Sequence, residues 1–237
     1  MKKAKLAVVG LNFGKNHAFN IASGSMPGEL AAIADLNPDY AALGKQLDTP
    51  FYTDYRKMLE EVRPDGVIIA VPPKFHKPIA MDCMQAGADV MIEMPITLCS
   101  AEADELIAQA DALGRKILVG QHHRFDPSVR RAKEAIASGR LGCLIGFHIY
   151  GTLPKPDWYF SQDYKKLRAL GGGTVANNGI HDVDRIRFLC GDAACVHAMK
   201  GNMIRGFEVE DTAAIAIRCF CPPDKRCVAC LAYSLIP

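Results

Sequence analysis

The chain has 237 residues, of which 49% are hydrophobic and 23% charged, and its formal net charge is +2. These values are typical of a folded chain with one large core or two smaller ones, and they exclude both disorder and a basic surface for nucleic acid. Nine cysteines, an odd number, indicate reduced thiols, and no apolar stretch is long enough to span a bilayer. We therefore expect a soluble, cytoplasmic protein that binds a small molecule, with neither nucleic acid nor membrane as partner.

Short apolar runs alternate with helical patterns as far as residue 121, which is typical of a doubly wound parallel sheet. The predicted strands are almost entirely apolar, as burial on both faces requires: Leu6–Val9, Leu30–Ala34, Gly66–Val71, Val90–Glu93 and Ile117–Val119. Apolar residues at three- and four-residue spacing predict the helices Asp54–Val62, Lys77–Ala86 and Ser100–Leu113, the last with Ser100 as its N-cap. Residues 1–121 are thus predicted to form an α/β domain of the Rossmann type.

The pattern changes after residue 121, and residues 122–237 are predicted to form a second, α+β domain with an open, mostly antiparallel sheet. Its predicted elements are the helix Pro127–Ser138, the strand Leu144–Tyr150, the helix Thr174–Leu189, and strands near Cys195–Met203 and Thr212–Phe220. Between them, a segment rich in Pro, Trp and Tyr ends in three consecutive glycines. Because long loops often carry binding residues, this segment is a candidate substrate loop.

A glycine turn between the first strand and the following helix predicts a pyrophosphate site, because helix N-termini present free backbone N–H groups. The turn runs from Gly10 to Gly14 and includes Asn12 and Phe13. Asn12 stands where a second glycine is usual, and Gly14 is one residue closer than in the common fingerprint. Asp35 follows the second strand, where a carboxylate binds the adenosine ribose. The alternative is a strand-to-helix turn that binds nothing.

Asp35 also predicts which dinucleotide is bound. A carboxylate at this position repels the 2′-phosphate of NADP, and neither Leu36 nor Asn37 supplies a positive charge. The sequence therefore predicts NAD as the cofactor.

Four motifs together resemble the glucose-fructose oxidoreductase/inositol dehydrogenase (Gfo/Idh/MocA) family of NAD(P)-dependent dehydrogenases of sugars, polyols and related compounds. The motifs are VPPKFH at residues 71–76, EMP at 93–95, GQHHRFDP at 120–127 and GGGTVANNGIH at 171–181. The resemblance implies that the first two motifs lie at the cofactor through Val71, Pro72, His76, Glu93, Met94 and Pro95. It also implies a structural role for His17 and a packing role for Arg124, Phe125 and Pro127.

In the family, the lysine of a Glu-Lys-Pro motif lines the catalytic site together with an aspartate and a histidine four residues apart. In this chain His181 matches the histidine, whereas Met94 stands at the lysine position and Asn177 at the aspartate position. The resemblance thus implies that His181 transfers the proton and that Asn177 hydrogen-bonds substrate or imidazole, with Asp184 or Asn177 fixing the tautomer. Alternatively, His181 is an ordinary helix-face histidine bonded to Asp184.

Other polar residues are candidate substrate contacts. His122 and His123 follow the last predicted strand of the parallel sheet, where ligands of such sheets bind, although a pair that only caps the domain junction fits equally well. Tyr159 lies in the candidate substrate loop. Candidates to replace the missing lysine are Lys74, Lys155, Tyr159 and Lys166, and for each the alternative is a solvated surface side chain.

The last segment, Arg218–Pro237, lacks the polar–apolar alternation of a strand and is predicted to be a divergent terminus. Its pattern of Cys219, Cys221, Cys227 and Cys230 could bind zinc, but the connecting loop is short, so we expect unliganded thiols and no metal. Relatives usually run longer, and a shortened sheet leaves an unpaired edge. We therefore expect a homo-oligomer, either a dimer or a tetramer.

Two functional hypotheses follow. The first is an NAD-dependent oxidoreductase that transfers hydride between the nicotinamide and a hydroxyl-bearing carbon of a sugar, polyol or related small molecule. The second is a catalytically silent NAD-binding protein, either a sensor or regulatory subunit or a decayed relative of the dehydrogenases. Met94 and Asn177 distinguish the chain from an ordinary family member and motivate the second hypothesis.

Overall fold

The computed structural model describes residues 3–221 and 225–236. The chain divides into two compact units, Met1–Gly120 and Gln121–Pro237, so the division lies one residue from the predicted domain boundary. Each unit contains its own sheet, with two buried clusters in the first unit and one in the second. None of the helices in the described part is long and apolar enough to cross a membrane.

A six-stranded parallel sheet forms the first unit and confirms the predicted Rossmann architecture. Its strands are β1 Lys5–Val9, β2 Glu29–Ala34, β3 Phe51–Tyr52, β4 Gly66–Ile69, β5 Asp89–Ile92 and β6 Ile117–Val119. They lie in the order β3-β2-β1-β4-β5-β6, so the direction of winding reverses between β1 and β4. The sequence did not predict β3, because two residues are too few to show a period.

Five helices accompany this sheet: α1 Leu11–Ala22, α2 Ala41–Gln46, α3 Tyr55–Val62, α4 His76–Gln85 and α5 Ser100–Leu113. Ser100 is the first residue of α5 and not its predicted N-cap, which is Cys99. The Glu102 side chain instead accepts a hydrogen bond from the Leu98 N–H at 3.1 Å and so ties the preceding segment to the first turn.

Apolar side chains bury both faces of the parallel sheet, which explains the uninterrupted apolar runs of its strands. One cluster joins Val9 and Ile69 to Met84 of α4 and Leu106 of α5. The other cluster includes Val8, Ile33 and Ile68 together with Leu11 and Ile21 of α1. Because each fully buried side chain of this size contributes about 1.5–3 kcal/mol, these clusters fix the sheet and the turns at its edge.

The second unit has two α-helices and a four-stranded sheet: α6 Pro127–Ala137, β7 Gly146–Pro154, α7 Ile180–Cys190, β8 Ala193–Gly201, β9 Thr212–Cys221 and β10 Lys225–Ile236. The strand order is β7-β10-β9-β8, with β10 parallel to β7 and the other two pairs antiparallel. This confirms a mostly antiparallel sheet. The helix predicted from Thr174 begins instead with a π-helical turn, Val175–Gly179, that leads into α7.

The C-terminal segment forms a strand although its sequence does not show the expected alternation, because β10 pairs with both β7 and β9 inside the sheet. Its side chains do alternate between buried and more exposed positions. The alternation was hidden in the sequence because the other face also carries apolar residues such as Val228 and Ala232. The buried positions are Cys227, Ala229, Leu231, Tyr233 and Leu235.

The same alternation separates the cysteines of this segment. Cys219 and Cys227 are buried side chains at paired positions of β9 and β10. Cys230 is only partly buried, and an odd number of residues separates it from Cys227, so the two lie on opposite faces of the sheet. The side chain of Cys221 lies outside the described residues. The three described thiols therefore do not converge on one ion.

A buried carboxylate fixes the turn before β9. Asp211 is 3% exposed and accepts hydrogen bonds at 2.9 Å from the backbone N–H groups of Met203, Ile204 and Arg205. Thr212 donates its hydroxyl to the same carboxylate at 3.0 Å. Burial alone would raise the pKa of Asp211, but these donors outweigh it and lower the pKa.

We expect the substitution Asp211→Asn to lower the free energy of unfolding by about 1.5–3 kcal/mol at pH 7, because the amide accepts fewer of these hydrogen bonds. Since the folded-state pKa lies below the unfolded value, the wild-type advantage is complete above the unfolded pKa of about 4 and is lost as the pH falls through the folded pKa. Urea denaturation followed by circular dichroism measures both effects. The exposed Asp192 provides the control Asp192→Asn, and equal losses for the two variants would contradict the assignment.

Candidate functional site

The turn after β1 lies at the point where the direction of winding reverses. Gly10 has φ of 88°, and a Cβ at this position would lie 2.6 Å from the Ala70 carbonyl oxygen and 2.8 Å from Val71 Cγ1. Only glycine fits this position, because a side chain would have to occupy the end of β4. The turn therefore lies directly against β4, at the carboxyl edge where open α/β sheets bind ligands.

Gly14 explains the unusual spacing of the glycine motif. A Cβ at this position would lie 2.9 Å from Val8 Cγ1 and 3.2 Å from Ala70 Cβ, so the missing side chain lets α1 pack closely on the sheet. Close helix–strand packing is the role of the third glycine in the common fingerprint. Asn12 and Phe13 are exposed in the first turn of α1, where backbone N–H groups are available to a pyrophosphate.

Asp35 is held by backbone donors at the end of β2. Its Oδ2 accepts a hydrogen bond from Leu11 N at 2.6 Å, and its Oδ1 accepts one from Asn37 N at 2.9 Å. The carboxylate thereby links the end of β2 to the first residue of α1. It has a fixed position at the carboxyl edge of the sheet, as a ribose-binding acid requires.

His76 has a structural position that the sequence did not reveal. It is 1% exposed, with Nδ1 2.7 Å from the Pro95 carbonyl oxygen and Nε2 2.8 Å from the Val71 carbonyl oxygen. Burial lowers the pKa of His76, although both carbonyl groups favour the protonated form. Since both ring nitrogens lie against backbone groups, His76 connects two cofactor-motif loops and is buried away from direct contact with a ligand.

The Glu93 carboxylate, like the His76 ring, contacts other residues of the first unit. Its Oε1 lies 2.7 Å from Nε2 of His17, and a Cβ on Gly120 would lie 2.9 Å from its other carboxylate oxygen. Met94 and Pro95 follow and are joined by a cis peptide bond. The His17 contact thus fastens α1 to the end of β5, which agrees with the structural role expected for that histidine.

In the second unit, His181 lies at the start of α7 with its Nδ1 3.2 Å from Oε1 of Gln121. An amide oxygen only accepts hydrogen bonds, so Nδ1 of His181 is the donor in this contact. Sequence reasoning assigned this orienting role to Asp184 or Asn177 and overlooked Gln121. Two signals were available: Gln121 follows the last strand of the parallel sheet, and it is the second residue of the GQHHRFDP motif.

Three histidines, His122, His123 and His181, form one contact group, which we call the histidine cluster. Ring centroids are 4.5 Å apart for His122 and His123, 4.9 Å for His122 and His181, and 4.7 Å for His123 and His181, whose rings are stacked. Arg185 donates a hydrogen bond from Nη2 to His123 Nδ1 at 2.5 Å. Burial lowers the pKa of His123, and the neighbouring His122 and Arg185 lower it further.

Ring nitrogens of the histidine cluster lie within 4.8 Å of one another, and no other described group brings three metal-ligating side chains this close. A zinc ion needs each nitrogen at about 2.0–2.1 Å, so the rings would have to converge further. The Arg185 guanidinium occupies His123 Nδ1 and repels a cation. These contacts fit hydrogen bonding and proton transfer better than metal binding.

Asp184 is engaged by Arg124 and not by His181. The Arg124 guanidinium donates two hydrogen bonds to this carboxylate, from Nε at 2.7 Å and from Nη2 at 2.5 Å. The hydrogen bonds to the Asp184 carboxylate raise the pKa of Arg124, so the guanidinium stays charged. This two-bonded ion pair fixes α7 to the turn that carries His122 and His123, which agrees with the packing role expected for Arg124.

Asn177 lies in the π-helical turn and holds the glycine loop. Its Nδ2 donates hydrogen bonds to the carbonyl oxygens of Gly171 at 3.2 Å and Gly173 at 3.0 Å. A carboxylate cannot donate these bonds. The amide at this position is therefore required by the conformation of the glycine loop, and Asn177 acts as a positioning residue in the structure.

Tyr159 and Asn177 line one cavity with Thr174, Lys165 and Glu210. Tyr159 therefore lies beside the π-helical turn, whereas the histidine cluster is not part of this lining. Among the lysine candidates, Lys155 lies over the Tyr159 ring, Lys166 pairs with Asp163 at 3.2 Å, and Lys74 is exposed.

Comparison with known proteins decides the family. The model of an oxidoreductase family with an NAD-binding Rossmann fold, GFO/IDH/MocA, matches residues 4–121, and the model of the family's C-terminal domain matches residues 129–219. The chain belongs to this family. The first unit is accordingly its NAD-binding domain, and the glycine and acidic residues at its carboxyl edge fit that cofactor.

Two relatives with named activities are dehydrogenases. Inositol 2-dehydrogenase of Rubrobacter xylanophilus is 29% identical over 79% of this chain and 52% of its own length. D-glucoside 3-dehydrogenase of Escherichia coli is 30% identical over 69% of this chain and 47% of its own length. The chain thus spans about half the length of these curated relatives.

A solved structure shares the fold of the whole chain. The WlbA dehydrogenase of Bordetella pertussis, solved in complex with NADH and UDP-GlcNAcA, superimposes with a TM-score of 0.92. The match covers 100% of this chain and 72% of that one at 24% identity. At this identity the match shows the fold alone.

We expect Asp35→Asn to shift the ratio of NADPH to NADH affinity by at least about tenfold in favour of NADPH, since a charge that repels the 2′-phosphate is removed. The asparagine oxygen still accepts one backbone hydrogen bond, so the turn is preserved. Titration followed by nicotinamide fluorescence at low salt measures both affinities. Asp39→Asn removes a nearby exposed charge and should leave the ratio unchanged, whereas an unchanged ratio for Asp35→Asn would exclude Asp35 from cofactor selection.

Proposed function

We propose that this chain is an NAD-dependent oxidoreductase that transfers hydride between the nicotinamide and a hydroxyl-bearing carbon of a sugar, a polyol or a related small molecule. Family membership and the naming of relatives as inositol and glucoside dehydrogenases support the substrate class. The contact between His181 and Gln121 carries the proposal, because it fixes the orientation of the imidazole that would remove a hydroxyl proton.

In the proposed reaction the C–H bond of the carbinol breaks and a carbonyl forms. NAD held by the glycine turn and Asp35 would supply the acceptor for the hydride, which leaves the carbinol carbon with the electron pair of the C–H bond. His181 Nε2 accepts the hydroxyl proton and becomes imidazolium, while Gln121 stabilises the proton already on Nδ1. Since Met94 neither carries charge nor donates a proton, His181 is the group of the family site that this chain keeps for proton transfer.

The other candidate residues have supporting roles in this proposal. The cofactor is bound by Gly10, Asn12, Phe13, Gly14 and Asp35. The same carboxyl edge of the sheet includes Val71, Pro72 and Met94. The loops that carry these residues are held in position by His76, Glu93 and Pro95. His122 and His123 contact substrate hydroxyl groups. The lowered pKa of His123 favours its neutral form, and a neutral imidazole both donates and accepts hydrogen bonds. Asn177 positions the glycine loop beside Tyr159.

We expect His181→Gln to lower kcat by about 10²–10⁴-fold and to change NADH affinity less than about twofold, because only the proton acceptor is lost. NADH formation with a panel of inositols, hexoses and glucosides measures the first value, and fluorescence titration measures the second. His197→Gln, at an exposed position of β8, is the control and should keep wild-type kcat. A wild type that binds NADH but oxidises none of the panel would contradict the proposal and favour the catalytically silent hypothesis.

We further propose that the chain forms a homo-oligomer through the outer face of the second sheet. This face carries exposed apolar side chains in the single chain, including Met199 at 80% and Phe220 at 64% exposure. Ala214 and Ala216 of β9 add flat apolar surface between them. Exposed apolar patches of this kind are typical of association surfaces.

We expect Met199→Lys together with Phe220→Lys to reduce the oligomer to monomer, because two buried charges would oppose association. Light scattering after size-exclusion chromatography measures the mass. Ile107→Lys, at an exposed apolar position of α5, should leave the mass unchanged. A monomeric wild type, or an oligomer that survives the double substitution, would argue against this interface.

We infer a cytoplasmic location from the cysteines. Their number is odd, and exposed thiols such as Cys99 and Cys143 form no disulfide bond in the structure. Exposed thiols of this kind are stable in a reducing compartment.

A further inference from the structure

Two lysine ammonium groups lie over the ring of Tyr159. Lys165 Nζ is 3.6 Å from the ring centroid and Lys155 Nζ is 4.3 Å from it. Lys165 also donates a hydrogen bond to the Tyr159 carbonyl oxygen at 2.9 Å. The two distances place the ammonium groups within about 8 Å of each other, where like charges repel.

Neither of these charges has a carboxylate partner in the part of the chain that the structure describes. In the described residues, no carboxylate lies within 4.0 Å of Lys155 or Lys165, whereas Lys166 pairs with Asp163 at 3.2 Å. Burial lowers the pKa of both unpaired lysines, and the charge of Lys155 lowers the pKa of Lys165 further. Two adjacent, partly buried cations without a counter-charge are costly, and a bound anion would remove that cost.

The neighbouring cavity adds a second, independent observation. Lys165 and Tyr159 line it together with Thr174, whose side chain is 1% exposed. The Thr174 hydroxyl has no hydrogen-bond partner among the described residues, although buried polar groups are normally paired. The cavity is about large enough for one water molecule, so an oxygen atom of a ligand fits beside this hydroxyl.

Glu210 also lines the cavity, but its carboxylate is already engaged. Its Oε2 lies 3.3 Å from Lys200 Nζ, and its Oε1 accepts a hydrogen bond from Val175 N at 3.3 Å. It therefore does not neutralise the two lysines over Tyr159.

We propose that Lys155 and Lys165 bind an anionic group of the substrate, a carboxylate or a phosphate, against the ring of Tyr159. The inference rests on the proposed oxidoreductase function and narrows its substrate class to sugars or polyols that carry a negative charge. The anion supplies the missing counter-charge, and an oxygen of the same ligand accepts the Thr174 hydroxyl proton as a hydrogen bond.

Binding can be tested without cofactor or turnover. Trp158, the single tryptophan of the chain, lies 6.5 Å from Tyr159 between ring centroids and reports on this segment by fluorescence. Titration with inorganic phosphate and with acetate at constant ionic strength should give a saturable change in the wild type. Lys165→Gln and Lys155→Gln should each weaken binding by at least about tenfold.

Lys166→Gln is the matched control, because it removes the same charge from a neighbouring lysine that already has a carboxylate partner. Lys155→Gln shows whether a loss of binding in Lys165→Gln reflects misfolding. Unlike Lys165, Lys155 makes no hydrogen bond through Nζ in the described structure, so its substitution removes no such contact. A wild type that responds to neither anion, or a Lys166→Gln variant that loses as much affinity as the other two, would overturn the proposal.

Turnover distinguishes the source of the charge and separates the two proposals. Glucuronate, glucose 6-phosphate and glucose are compared as substrates with NAD. We expect KM to be lowest for one of the charged sugars and to rise at least about tenfold for that sugar alone in Lys155→Gln. If the wild type has its lowest KM for the neutral sugar glucose, and Lys155→Gln leaves that preference unchanged, the proposed anion site is overturned. Anion binding without turnover of any sugar would instead refute the oxidoreductase function and leave the anion site standing.

Discussion

The first unit depends on one close approach, that of Gly10 to the end of β4. The 2.6 Å that would separate a Cβ at residue 10 from the Ala70 carbonyl oxygen leaves no room for any side chain. This contact places the N-terminus of α1 at the reversal of winding, and Asp35 then binds Leu11 N to fix the first residue of the helix. His76 connects the loop at Val71 to Pro95, so the cofactor motifs form one connected framework.

Sequence periodicity predicted most of the fold, because burial sets a period wherever one environment extends over several residues. It therefore located the buried parallel strands and the helices α3, α4 and α5 within one or two residues. It failed at β3, which is too short, and at β10, where Val228 and Ala232 make the second face apolar as well. In both cases the strand forms by pairing with other strands, β2 for β3 and both β7 and β9 for β10, and the pattern within a strand cannot show such pairing.

The candidate site was predictable in its residue types and less so in its contacts. The motifs indicated His181, Asn177 and the histidine pair, but they did not show that Gln121 contacts His181, which lies 60 residues away in sequence. They also gave no sign that Lys155 and Lys165 share one aromatic ring, since a loop of irregular backbone brings them together. Contacts of this kind depend on side-chain direction in three dimensions, which residue spacing outside regular elements does not determine.

The replacement of the family's aspartate by Asn177 bears on whether the chain has lost its catalytic activity. Gly173 O accepts hydrogen bonds from both the backbone N–H and the Nδ2 of Asn177, and Gly171 O accepts a further one from Nδ2. An aspartate in the same rotamer would place a carboxylate against two carbonyl oxygens, so these hydrogen bonds need a donor such as the asparagine amide. The asparagine is thus part of a consistent local structure and not an isolated loss. A site rebuilt in this way, with the imidazole of His181 oriented by Gln121, is better explained by adaptation to a particular substrate than by decay.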